Sequence, residues 1–99
     1  MFTDTSRAIS ISGPVLMAQC QDRRGDWVYS EINLDKLIGN SRGQLEWGGK
    51  DFSVTARNTR VSEGVLIAEL TNNNEMDWHT STLDLNKFIS NKGGVLTAK

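Results

Sequence analysis

The chain has 99 residues, of which 37% are hydrophobic and 23% charged, and its formal net charge is -1. One domain of ordinary globular composition fits that length, whereas two independent domains of about fifty residues would each bury too little surface to be stable. The near-neutral charge and the absence of basic runs longer than Arg23-Arg24 argue against nucleic acid as a partner. No apolar stretch reaches the length of a membrane span, so insertion into a bilayer is not expected.

The segment DWVYSEINLDKLIGN, residues 26 to 40, returns as DWHTSTLDLNKFISN, residues 77 to 91. An offset of fifty, rising to fifty-one after Met76, aligns Phe2 with Phe52, Thr5 with Thr55, Arg7 with Arg57 and Leu16 with Leu66. It also aligns Ala18 with Ala68, Trp27 with Trp78, Ile38 with Ile89, Asn40 with Asn91 and Gly43 with Gly94. The chain is therefore an internal repeat, 1–50 and 51–99. Stacked repeat arrays normally need three or more units to cover their end faces, so two units must close on each other.

In chain order, each unit opens with alternation of period two. Phe2, Asp4 and Ser6, and likewise Phe52, Val54 and Ala56, are expected to extend a strand upstream of RAISI and RNTRV. The turns SGP and SEG lead into VLMAQCQ and VLIAELT, where Leu16, Ala18 and Cys20, and Leu66, Ala68 and Leu70, share one face of a half-buried strand. A third strand runs from about Trp27 to Ile32. Asn33 and Asp84 are natural N-caps of a short helical turn, with Leu34, Leu37 and Ile38, and Leu85, Phe88 and Ile89, on its apolar side. Gly39 is expected to end the first of these turns. NSRG and NKGG then read as tight turns before the closing strands QLEW and VLTA. The fold class is all-β with short 3-10 or helical turns.

Joined in this order, INLDKLIGN and GQLEWGGKDF in a duplicated frame resemble the cyanovirin-N homology family of lectins, over almost the whole chain. The resemblance implies a pseudo-symmetric β protein, a triple-stranded sheet and a hairpin in each half, with strands exchanged between the repeats. The implied structural halves are 1–38 with 90–99, and 39–89. It further implies binding of mannose-rich oligosaccharides, especially α1,2-linked mannose, with no catalysis and no cofactor. A mainly monomeric state is expected, with a domain-swapped dimer open through a pivot at WGGK.

The family pattern places a disulfide in each half, at positions that here are Ser6 with Cys20 and Ala56 with Leu70. With one cysteine, neither bond forms, and packing must replace about 3 kcal/mol per crosslink. This disulfide-free state resembles fungal members. Together with the lack of a secretion-signal pattern in MFTDTSRAISIS, it favours a reducing, cytoplasmic setting.

Two sugar pockets are implied, one at each end. The first gathers Thr5, Gln21, Asp22, Arg23, Asn91, Lys92 and Gly93. The second gathers Asn40, Ser41, Arg42, Lys50, Asp51, Thr55, Thr71, Asn72, Asn73 and Asn74. Amides, hydroxyls and carboxylates of this kind suit the mixed donors and acceptors of sugar hydroxyls. Arg42 and Gly93 stand where the family commonly has an acidic residue, which removes a bidentate acceptor. The second set is favoured for its amides beside Asp51. Other roles compete: Asn40 and Asn91 suit bonds to their own turn backbone, and Asn72 to Asn74 suit a plain polar loop. Trp27, Trp47 and Trp78 fit packing better than sugar stacking, Cys20 reads as a buried thiol, and His79 as a surface residue without a partner.

No catalytic triad, metal-ligand cluster or phosphate loop assembles, so an enzyme is not expected and no metal is called for. The rival reading is a protein-interaction or structural module of the same fold with inactive pockets.

Overall fold

The structure, a computed structural model, describes residues 1–72 and 77–99. Strands β1 (Ser6–Ser12), β2 (Val15–Gln21) and β3 (Trp27–Asn33) form one antiparallel sheet, and β4 (Ile38–Ser41) with β5 (Gln44–Trp47) a hairpin. The pattern repeats as β6 (Ala56–Ser62), β7 (Val65–Thr71) and β8 (Trp78–Asp84), then β9 (Ile89–Lys92) with β10 (Val95–Ala98). The body measures 48 × 21 × 17 Å, and no helix among the described residues is long and apolar enough to cross a membrane.

Each hairpin packs on the sheet of the other repeat. Leu45 N donates to Ser81 Oγ at 3.0 Å, joining β5 to β8, and Leu96 N donates to Ser30 Oγ at 3.0 Å, joining β10 to β3. Strands are thus exchanged between the repeats. The physical cause is a single shared core: Phe2, Leu16, Leu34 and Ile38 of one repeat and Phe52, Leu66, Leu85 and Ile89 of the other are all essentially inaccessible and belong to one cluster. At roughly 2 kcal/mol per buried side chain, neither repeat alone would outweigh the entropy of ordering its backbone.

The period-two strands lie where the alternation places them. Leu16, Ala18 and Cys20 point inward on β2, and Leu66, Ala68 and Leu70 on β7. Ser6 is the register partner of Cys20 and Ala56 of Leu70, at the two disulfide-free positions; the Ser6 hydroxyl donates to Cys20 Sγ at 3.5 Å. Trp47 stacks on Phe88, with ring centroids 4.7 Å apart, and Arg7 and Arg57 each lie 4.1 Å over Trp27 and Trp78.

Two local expectations are corrected. Phe2–Thr5 and Phe52–Thr55 are 3-10 turns, not upstream strand. The tight turn swings each phenylalanine into the core, and its exposed amides are capped across the repeats: Thr3 N donates to Asn86 Oδ1 at 3.2 Å and Ser53 N to Asp35 Oδ1 at 3.0 Å. The Ser53 hydroxyl also donates to Asp35 Oδ2.

Gly39, in turn, does not end the turn Leu34–Lys36. That turn closes at Leu37, with Asn33 as cap through its side chain to Asp35 N, and Gly39 lies inside β4. A Cβ there would stand 2.9 Å from Lys50 N and 3.1 Å from Gly49 Cα, so the glycine is required by the chain crossing over it. Its repeat mate is Ser90.

Candidate functional site

The two ends of the molecule are built by the same device. Asn40 is the penultimate residue of β4, before the turn carrying Arg42 and Gly43, and Asn91 is the penultimate residue of β9, before Gly93 and Gly94. Positive φ angles at Arg42 (53°) and Gly43 (86°), and at Gly93 (64°) and Gly94 (98°), make both turns two-residue hairpin connections of the kind that match strand twist.

Each asparagine spends its amide on holding three chain segments together. Asn91 Nδ2 donates to Thr5 Oγ1 at 2.9 Å and to Gln21 O at 2.9 Å, while its Oδ1 accepts from Gly94 N at 2.8 Å. Asn40 Nδ2 donates to Thr55 Oγ1 and to Thr71 O, both at 2.9 Å, and its Oδ1 accepts from Gly43 N at 2.8 Å. Both N–H bonds of each side chain are therefore committed, and the asparagines act as clamps that set where the surrounding groups stand. The Nδ2 bonds reach across the repeats, while each Oδ1 closes its own turn, the bond to turn backbone expected of these asparagines.

At the first end the clamp brings together Thr5, Gln21, Asp22, Arg23, Asn91 and Gly93. Asp22 Oδ1 accepts from Arg24 N at 2.9 Å and Asp26 N at 3.0 Å, which pins one carboxylate oxygen to the β2–β3 loop. Arg23 leans over the hairpin turn, its Nε 3.6 Å from the place a Cβ of Gly93 would take. Lys92 is exposed on β9 beside them. A cavity of about 270 Å³ opens next to Thr5 and Asn91, bounded also by Met1, Phe2, Ser90 and Lys99. The last four were not anticipated, because they meet only through the packing of the chain's two extremities.

At the second end the clamp gathers Asn40, Arg42, Thr55, Thr71 and Asn72. The space above Gly43 is walled by Asn72 Cβ and by the ring of His79, 3.5 and 3.1 Å from an added Cβ. Ser41 is exposed at the end of β4. Lys50 and Asp51 come alongside through the crossing connection: Asp51 bridges Gly39 and its N–H donates to Asp35 O at 2.7 Å, with Asp51 itself left-handed at φ 61°. Asn73 and Asn74 lie outside the described residues.

His79 is not partnerless as its sequence context suggested. Its Nε2 lies 3.1 Å from Asp77 Oδ1. The signal that could have found it is its mate in the repeat: Gly94 is walled by Val28 and Asp22, where Gly43 is walled by His79 and Asn72. Among the described residues, no group of three His, Cys, Asp or Glu side chains is placed to hold a metal.

Residues 2–97 match the CVNH domain. The chain belongs to that family. A cyanovirin-N homolog from Tuber borchii is 38% identical over 65 residues, a stretch that spans 64% of this chain and 63% of that protein's length. The structure is similar to that of a designed cyanovirin-N homolog lectin, with a TM-score of 0.89 and 34% identity over 99% of this chain and 98% of that one. It is also similar to microvirin in a microvirin:mannobiose complex, with a TM-score of 0.84 and 25% identity over 99% and 97% of the two chains. Cyanovirin-N homologues of this family are carbohydrate-binding lectins rather than enzymes.

Proposed function

We propose that this CVNH domain binds mannose-rich oligosaccharides, with α1,2-linked mannose as the preferred unit, through the hollows at its two ends. The observation that carries the reading is the doubled clamp: Asn91 with Thr5 and Gln21, and Asn40 with Thr55 and Thr71. Fixing three segments by one amide leaves a shallow polar surface of known shape, and stereochemical discrimination among sugar hydroxyls needs donors and acceptors held in place beforehand. The likeness to microvirin, solved with mannobiose, supports mannose as the sugar.

The working unit is a single chain whose halves, 1–38 with 90–99 and 39–89, carry one hollow each. At the first, the unpinned Asp22 oxygen, Arg23 and backbone groups of the Gly93 turn meet the sugar. At the second, Arg42, Asn72, Lys50, Asp51 and the backbone of the Arg42–Gly43 turn do so. Exchange into a dimer would pivot at Gly48 and Gly49, which lie between β5 and the second repeat.

Titration of isotope-labelled protein with α1,2-mannobiose, following backbone amide shifts, tests this. Saturable shifts clustering at Gln21 and Gly94 and at Gly43 and Asn72 are expected, and cellobiose should leave them unmoved. Absence of any saturable shift at millimolar sugar would hand the fold to the reading as a protein-interaction module.

A further inference from the structure

The two ends share a clamp but not a wall. Behind Gly94 stands Val28, an apolar side chain with no donor or acceptor; behind Gly43 stands His79, with ring Cδ2 3.1 Å and Cγ 3.5 Å from an added Cβ. Through Gly43 N–H the same turn is tied to Asn40 Oδ1. Asp77, just before β8, is the repeat mate of Asp26, yet only Asp77 has an imidazole two residues on. Its carboxylate meets His79 Nε2 at 3.1 Å, and both side chains remain about half exposed, 55% and 49%. Asp77 also adjoins the hollow through its backbone, where Asn72 N donates to Asp77 O at 3.4 Å.

We infer that Asp77, positioned by His79, is a hydroxyl-recognising element of the second hollow, taking two neighbouring hydroxyls of a terminal hexose. The inference rests on the carbohydrate reading above. His79 Nε2 stands 3.1 Å from Asp77 Oδ1 and restrains that oxygen, leaving the second carboxylate oxygen outside the contact. A carboxylate held this way accepts from two adjacent hydroxyls, whereas Arg42, in the asparagine turn, only donates. Asp77 therefore supplies from the β8 side the acceptor that the turn lacks. The first end has no imidazole-held counterpart: Val28 stands two residues after Asp26, and the carboxylate of that end is Asp22, held from the β2–β3 loop instead, so the two ends have unequal preferences among hexoses that differ in one hydroxyl.

The test uses the full chain with labelled histidine and backbone nitrogen, titrated with α1,2-mannobiose. The His79 ring resonances are expected to move along the same isotherm as the Gly43 and Asn72 amides. D77N should weaken binding at this end about tenfold, the size of one lost charge-assisted hydrogen bond. H79V, which installs the residue already tolerated at the mate position Val28, should weaken it severalfold, and both variants should leave the isotherm of Gln21 and Gly94 unchanged. The inference falls if Gly43 and Asn72 shift while His79 is silent, or if D77N retains full affinity at the second end. If no amide at either end responds to any glycan, the carbohydrate reading itself falls, and this inference with it.

Discussion

Replacing Asn91 separates a clamp from a sugar contact. The side chain makes three short bonds, donating to Thr5 Oγ1 and Gln21 O and accepting from Gly94 N, beside a longer donation to Thr5 O at 3.4 Å. N91A removes all three. At about 1 kcal/mol net for each bond, the loss is about 3 kcal/mol, and in a domain of this size that lowers the melting temperature by roughly 10 to 25 °C. N91D is the sharper probe. The new carboxyl keeps the acceptor for Gly94 and can accept from a rotated Thr5 hydroxyl, but when ionised it has no donor for the Gln21 carbonyl it faces. At neutral pH it should therefore destabilise at least as much as N91A. Its folded-state pKa would be raised, so the penalty is present above that value and shrinks as pH falls through it, when the protonated carboxyl regains one donor. Urea unfolding followed by tryptophan fluorescence, between neutral pH and mild acid, reads both variants. A cost under 1 kcal/mol for N91A, or an N91D protein as stable as the wild type at neutral pH, would refute the clamp and return Asn91 to the role of a free sugar donor.

Two further outcomes follow from the strands. S6C should form a disulfide with Cys20, its register partner. Closing a loop of about 15 residues would stabilise the oxidised form by about 3 kcal/mol, a gain that a thermal melt should show and that reductant should abolish. A8N should stabilise by about 1 kcal/mol in chemical denaturation. Ala8 sits at φ 52° in the bulge between Arg7 and Ser10, a conformation disfavoured for alanine. Its mate Asn58, at φ 51°, donates there to Glu69 Oε1 at 2.8 Å, and Gln19 occupies the matching place in β2.

Much of the architecture is local and so was legible in the residues. Alternation on VLMAQCQ and VLIAELT set the buried faces, because a strand shows opposite sides to core and solvent at every step. Asn33 and Asp84 were recognisable as caps, and both do cap, accepting from Asp35 N and Asn86 N. The duplication required two units to cover each other. Those features depend on neighbours within a few positions or on the repeat itself.

What only the tertiary structure decided depends on contacts between distant parts of the chain. Asn91 and Thr5 are 86 positions apart, and Thr3 and Asn86 are 83 apart. No local pattern states that an amide before a turn will be used up by a hydroxyl and a carbonyl from elsewhere. The 3-10 turns at Phe2 and Phe52 displaced the strand suggested by alternation because burying an aromatic ring and capping amides across the repeats outweigh a period-two preference over three residues. Gly39 looked like a helix stop and is a crossing point. His79 looked solitary and stands between Asp77 and Gly43. Sequence alone thus determined the units and their faces; the closing of one unit on the other decided which polar groups remain free to meet a ligand.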